Sequence, residues 1–297
     1  MKFGQVEDPS KIDFSLPTDH PQTKTILNLN KSGLIDIEIG CAKWNKTDLK
    51  GFYPKGTKDE LSYYSTQFNS IELNATFYGM PSLEQVVTWK DKTPDDFKFF
   101  PKITNTVSHF RRLKDVTEPV TQFVTSVMNF DEKLGMVFLQ LHDNFKPKDY
   151  DRLEKFVKDW PRDVPLAIEL RNTEWFTDEE VFNQTCELFE KYNITNIIVD
   201  TAGRRDMLHM RLTTPVAFIR YVGANAESDY KRLDDWLTRL TIWKEQGLEH
   251  LYFFVHQNIE KASPLLSVHF IEKLNKTWGE NLHIPQMATE PSKLTLF

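Results

Sequence analysis

The sequence predicts an α/β chain folded as a (β/α)8 barrel of the TIM type, preceded by an N-terminal extension. Short apolar runs alternate with longer amphipathic runs eight times between Leu34 and Thr277. Alternating βα units imply a parallel sheet, and eight of them in about 250 residues match the closed barrel. The open doubly wound sheet is the main rival. Its dinucleotide-binding form lacks its fingerprint here: no G-x-G-x-x-G follows the first strand, and there is no G-x-x-x-x-G-K-[ST] loop.

The units read as follows. Leu34–Cys41 is a strand and Lys58–Phe68 a helix; Ser70–Ala75 and Leu83–Lys92 form the second pair. Phe97–Ile103 with Pro119–Glu132, Gly135–His142 with Tyr150–Asp159, and Pro165–Arg171 with Asp178–Tyr192 continue the alternation. Asn196–Asp200 is a strand followed by a long loop with only weak helical signal. Val216–Val222 with Tyr230–Gln246 and His250–His256 with Ser263–Thr277 complete the set. Residues 1–33 form the extension, punctuated by Pro9, Pro17 and Pro21, with a helical turn expected near Thr23–Leu29. Residues 34–278 form the barrel and 279–297 an irregular tail.

Composition narrows the class of protein. A hydrophobic content of 40% and an aromatic content of 13% over 297 residues are ample for a large core. The net charge of -6 gives no general attraction to nucleic acid or anionic lipid. Two cysteines make no disulfide framework and favour a reducing compartment. The N-terminus has no apolar segment of the secretory kind, and no apolar run is long enough to span a bilayer. The expectation is a cytoplasmic protein without a membrane partner.

In a barrel the chemistry sits at the C-terminal ends of the strands. The strand around Ile71-Glu72-Leu73-Asn74 alternates an apolar face with a polar one and runs at once into Thr76, Phe77 and Tyr78. Gln140 and His142 share one face, opposite Leu139 and Leu141; Glu169 and Arg171 share one face, opposite Ile168 and Leu170; Arg220 lies opposite Ile219. In each strand the apolar set can face the helices while the polar set enters the mouth. Lys102, Asp200 and His256 end other strands, and Arg204, Arg205 and His209 follow the sixth. Charges converging on one mouth should perturb each other's pKa values; the competing reading is a structural ion-pair network that closes the barrel top.

The chain also resembles the DUF72 (YecE-like) family of TIM-barrel proteins, whose function is uncharacterised. The resemblance runs over roughly residues 34–277. It is carried by I-G-C-A-K-W at 39–44, Phe52–Pro54, Tyr63–Phe68, I-E-L-N-A-T-F-Y-G-M-P at 71–81, and the stretch from Trp89 to Lys102. F-L-Q-L at 138–141, A-I-E-L-R-N at 167–172 with Trp175, and F-I-R-Y-V-G at 218–223 complete it. E-L-N-A-T-F-Y is the most specific segment. The family commonly has glycine where this chain has Lys43, R-x-H-G where it has R-Y-V-G, and F-N-N where it has Val255-His256-Gln257. No role for that histidine transfers to Val222, though His256 stands where it can substitute across the mouth. The resemblance implies the fold and leaves the reaction open.

The residues themselves suggest an enzyme acting on a small anionic or polyhydroxylated metabolite by acid/base chemistry at the C-terminal rim. Glu72 or Glu169 is the acid/base candidate, provided burial raises its pKa. Lys102, Arg171 and Arg220 are expected to hold an anion, with Arg204 and Arg205 as further candidates; Asn74 and Gln140 would orient the ligand. Tyr78, Trp44 and Trp175 are candidates for stacking. Glycoside hydrolysis would use Glu72 and Glu169 as opposed carboxyls. A metal-dependent sugar isomerase- or endonuclease-like barrel would draw on Glu169, Asp200, His142 and His256, though no H-x-H or H-E-x-x-H signature assigns a metal site. A Schiff-base enzyme would use Lys102 or Lys43 if desolvated. A non-catalytic nucleic-acid or protein binding module would use the basic-aromatic patch His109-Phe110-Arg111-Arg112 with Lys114, or the Gly203-Arg204-Arg205 loop. Such clusters on an acidic chain are more often solvated loops. The sequence assigns no cofactor and no oligomeric state.

Overall fold

The computed structural model describes residues 4–28 and 33–288. Its strands, numbered in chain order, are β1 (Asp36–Cys41), β2 (Ser70–Leu73), β3 (Lys98–Pro101), β4 (Val137–Gln140) and β5 (Leu166–Glu169). Then follow β6 (Thr195–Asn196), β7 (Ile198–Thr201), β8 (Val216–Gly223) and β9 (His250–Gln257). Every pairing is parallel. The order β3-β2-β1-β9-β8-β7 makes one ladder and β4-β5-β6 a second.

The two ladders follow each other around a (β/α)8 barrel with two seams. Between β3 and β4 the pairing thins to bridges at Phe99–Leu134 and Lys102–Phe138. At the other seam β6 and β7 are one extended stretch broken at Ile197: its first half pairs with β5 and its second half with β8. The sixth unit of the sequence reading is therefore a strand shared between two ladders. Its long loop carries only a 3-10 turn at Ala202–Met207.

Three buried layers follow from strand parity. Ile71, Leu73, Leu139, Leu141, Ile168 and Leu170 pack outward against helices. Ile219, Tyr221, Phe253 and Val255 do so on the opposite flank. Inside the barrel, Phe100, Phe138, Phe218 and Phe254 interlock, with ring centroids 4.9 Å apart for Phe100–Phe254 and 5.3 Å for Phe218–Phe254. These rings fill the interior below the mouth, so any charge seated above them lies on an apolar floor.

Two short helical turns break the extended course read from sequence after the second and fifth strands, at Ala75–Tyr78 and Glu174–Thr177. The helix of the extension spans Pro21–Asn28. Upstream of it, the chain crosses the β7 loop. Phe14 lies 4.4 Å from the guanidinium of Arg232, and Gly203 N donates to the Gly4 carbonyl at 2.9 Å. A Cβ on Gly203 would stand 2.9 Å from the Gly4 carbonyl carbon, so the crossing requires glycine there. Residues 279–288 contain no regular element, and the rest of the tail lies outside the described residues. No described helix is long and apolar enough to cross a membrane. The two cysteines are buried and unbridged.

Candidate active site

The polar residues that end β2, β3, β4, β5, β8 and β9 meet in one cluster. Glu72 and Glu169 are both fully buried, yet each is saturated with partners. Arg220 donates to Glu72 twice, Nε to Oε2 and Nη2 to Oε1, both at 2.8 Å, and its Nη1 donates to Glu169 Oε2. Asn74 Nδ2 donates to Glu72 Oε1 at 2.7 Å. Arg171 Nε and Gln140 Nε2 donate to Glu169 Oε1 at 2.6 and 2.9 Å. His256 Nε2 lies 2.8 Å from Glu72 Oε2. A carboxylate only accepts, so that nitrogen carries the proton.

This arrangement reverses the pKa expectation for the acids. Burial pushes the Glu72 carboxyl up, but Arg220 and His256 outweigh it and hold it well below the usual range. Burial likewise opposes ionisation of Glu169, and Arg220 with Arg171 overrides it, bringing the group to about 2. Both acids are ionised and committed to cations, so neither meets the raised-pKa condition set for a general base.

The group tuned toward neutrality is Lys102. Its Nζ donates to Gln140 Oε1 at 2.8 Å and sits 4.2 Å from the centre of the Phe77 ring. Burial lowers its pKa, and Arg220 and Arg171 lower it further, while Glu72 and Glu169 pull the other way; the result is about 7. Thr76 Oγ1 donates to the Lys102 carbonyl at 2.7 Å, pinning the helical turn above β3. His109 closes the wall. It stands edge-on to Phe77 and His142, with centroids 4.9 and 5.0 Å away, and burial with His142 beside it lowers its pKa to about 4.

Of the residues singled out from sequence, Glu72, Asn74, Lys102, Gln140, Glu169, Arg171 and Arg220 therefore lie in one hydrogen-bonded network. Tyr78 does not join them: it is 77% exposed on the outer side of the Ala75–Tyr78 turn. The turn presents Phe77 to the site instead. Trp175 is a core residue, stacked on Phe145 with its indole N–H bonded to the Phe145 carbonyl. Trp44 packs edge-on against Trp89. Lys43 is paired with Asp48 at 3.1 Å in an exposed loop.

The metal-ligand set is not assembled. Asp200 shares the outward face of β7 with Ile198, and takes Arg232 at 2.9 Å and the Trp236 indole N–H at 2.8 Å. Among the described residues no three His, Cys, Asp or Glu side chains are grouped to hold a metal ion. The opposed-carboxyl geometry of a glycosidase is replaced by one guanidinium bridging both acids. Arg205 pairs with Asp200, and Arg204 bonds Asp206 and the Arg171 carbonyl, so both hold the loop together. The basic-aromatic patch divides: His109 enters the mouth wall, while Phe110 and Arg111 are exposed. A groove of about 440 Å3 lies outside the barrel, between the helices Thr117–Val127 and Tyr150–Asp159.

Sequence puts Phe77 on the rim without a role and His109 in a loop patch, and assigns neither of them to the cluster at the mouth. Phe77 stands next to Tyr78 in a segment already marked, but extended parity cannot tell which aromatic a helical turn points inward. His109 lies in a loop and carries no periodic signal.

Comparison with known proteins places the chain in a family. A family model described as "Protein of unknown function DUF72" matches residues 38–291. The UPF0759 protein YecE of Escherichia coli K12 is 27% identical over 278 residues, covering 86% of this chain and 99% of that protein. The UPF0759 protein YunF of Bacillus subtilis is 29% identical over 150 residues, covering 48% of this chain and 52% of that one. A DUF72 family protein from Thermotoga maritima superposes with a TM-score of 0.68 at 26% identity, over 81% of this chain and 99% of its own. One from Enterococcus faecalis superposes with a TM-score of 0.67 at 20% identity, over 80% and 95%.

Proposed function

The chain belongs to the DUF72 family of proteins of unknown function, and we propose that it is an enzyme that acts by acid/base chemistry on a small anionic or polyhydroxylated metabolite at the barrel mouth. One observation carries this reading: buried Lys102 donates to the neutral Gln140 amide in a cluster whose two acids are taken by Arg220, Arg171 and His256, an environment that brings its amine to about 7. Perturbed groups with a specific charge environment at a strand-end cluster gather at functional sites. Lys102 is the acid/base group, replacing Glu72 and Glu169 in that role. Arg171, half-buried at the mouth, supplies the positive charge that an entering anion meets. Glu72, Glu169 and Arg220 hold the frame, and Gln140 and Asn74 orient it.

The test is a panel of phosphorylated and carboxylated metabolites screened by thermal shift. Turnover of those that stabilise the protein is then followed by NMR for the native protein, K102M and R171A. The reading expects a ligand whose stabilisation falls in R171A and whose turnover disappears in K102M. Equal behaviour of all three proteins toward every ligand refutes it.

A further inference from the structure

A neutral amide stands between Lys102 and the Glu169 carboxylate. Glu169 Oε1 accepts from Gln140 Nε2 at 2.9 Å, which fixes the orientation of that amide and turns its Oε1 toward Lys102 Nζ at 2.8 Å. Among the described residues Lys102 forms no ion pair within 4.0 Å: Arg220 and His256 occupy Glu72, and Arg220 and Arg171 occupy Glu169. One side of the amine is covered by the Phe77 ring, at 4.2 Å, and the Phe138 ring lies 5.9 Å away. An amine that donates to an amide oxygen keeps its lone pair when unprotonated. An apolar setting and two nearby guanidinium groups both disfavour the ammonium form. Desolvated lysine beside other cationic groups is the general recipe for an amine nucleophile.

We propose that Lys102 is a nucleophile that forms an imine with the carbonyl carbon of a small anionic aldehyde or ketone entering the barrel mouth beside Arg171. This rests on the reading that the mouth takes a small anionic metabolite, and it narrows that metabolite to one with a carbonyl group. The Nζ lone pair forms the C–N bond as the C=O π pair moves to oxygen. Proton transfer from nitrogen to that oxygen gives a carbinolamine. A second proton, taken from solvent, lets the oxygen leave as water, and the product is an iminium. No oxidant or reductant is consumed. The iminium draws electrons from the adjacent carbon, so proton or carbon–carbon bond transfer at that carbon is the class of reaction served.

The charged groups facing the amine are consistent with both forms being accessible. Arg220 and Arg171 face it from β8 and the end of β5, and Glu72 and Glu169 balance them from β2 and β5; His109, in the loop after β3, is neutral at pH 7. An amine of pKa about 7 is half unprotonated at neutral pH. An exposed lysine near 10.4 has roughly one part in 2,500 unprotonated at pH 7.

The experiment incubates the full chain at pH 7 with pyruvate or with glycolaldehyde phosphate and sodium cyanoborohydride, followed by intact mass and peptide mapping. The expected result is one reduced adduct, mapped to Lys102 and formed at least about tenfold faster than at the exposed lysines. K102R and K102M should lose this adduct and keep the slow background. Labelling spread evenly over exposed lysines, with Lys102 unmodified in the native chain, overturns the imine whether or not the variants fold. Thermal shift by the same probes separates the two readings. Stabilisation without a Lys102 adduct overturns the nucleophile and leaves the acid/base reading standing. Neither stabilisation nor adduct, together with no ligand from the wider panel, overturns both.

Discussion

Arg220 and Glu72 meet in two parallel hydrogen bonds, Nε to Oε2 and Nη2 to Oε1, each 2.8 Å long, across the barrel from β8 to β2. The same guanidinium reaches Glu169 on β5. Removing it leaves two buried carboxylates short of a cation, and breaking a buried pair in this way costs about 3–5 kcal/mol. R220A should lose stability on that scale in urea denaturation. R220K keeps the charge without the planar fork and should lose less. A loss below about 1 kcal/mol for R220A would show that the bridge is not holding the acids.

Glu169 titrates near 2 rather than at its ordinary 4.5 because Arg220 and Arg171 overcome the cost of burying it. A carboxyl with a depressed folded-state value contributes stability above the unfolded value and loses it as pH falls through the folded one. The contribution is therefore complete above about 4.5 and disappears toward 2. Melting temperatures measured across that window should fall more steeply for the native protein than for E169Q. Parallel curves would contradict the assignment.

For Lys102 the sign is opposite. Its value falls from 10.5 to about 7 on folding, so the fold disfavours its charged form. The penalty is absent above 10.5, grows as pH drops, and is complete below about 7. K102M carries no such group. Its stability relative to the native protein should rise as pH is lowered from 9.5 to 6.5, on the order of one to a few kcal/mol. Paired urea denaturations at those two pH values read the difference directly, and a constant offset would mean that the amine is not depressed.

Two of the three stacking candidates should behave differently. Trp175 is fully buried and stacked on Phe145, so W175A should cost about 3–5 kcal/mol. Tyr78 is 77% exposed, so Y78A should stay within about 0.5 kcal/mol of the native protein. A metabolite whose binding depends strongly on Tyr78 would place the mouth's working surface further out than the Lys102 cluster.

Much of this was present in the sequence because strands alternate their side chains with a period of two. Ile71 and Leu73 facing out and Glu72 facing in, or Leu139 and Gln140, or Ile219 and Arg220, follow from one-dimensional order alone, as does the number of βα units. Where a strand is apolar on both faces, that signal disappears. Ile197-Ile198-Val199-Asp200 offers no parity, and only the fold decides that Asp200 points to the helices and Arg232.

The sequence could supply the acids and bases but not their state of charge. Burial alone would have raised Glu72 and Glu169 and made them bases. The tertiary structure brings Arg220 from a strand 148 residues away from Glu72, and at such short range a paired guanidinium outweighs desolvation. The same packing puts Gln140, rather than a carboxylate, against Lys102. On the alternating strands chain order determined which groups reach the mouth. Three-dimensional proximity decided which of them is left to titrate, because pKa depends on neighbours and solvent and not on position along the chain.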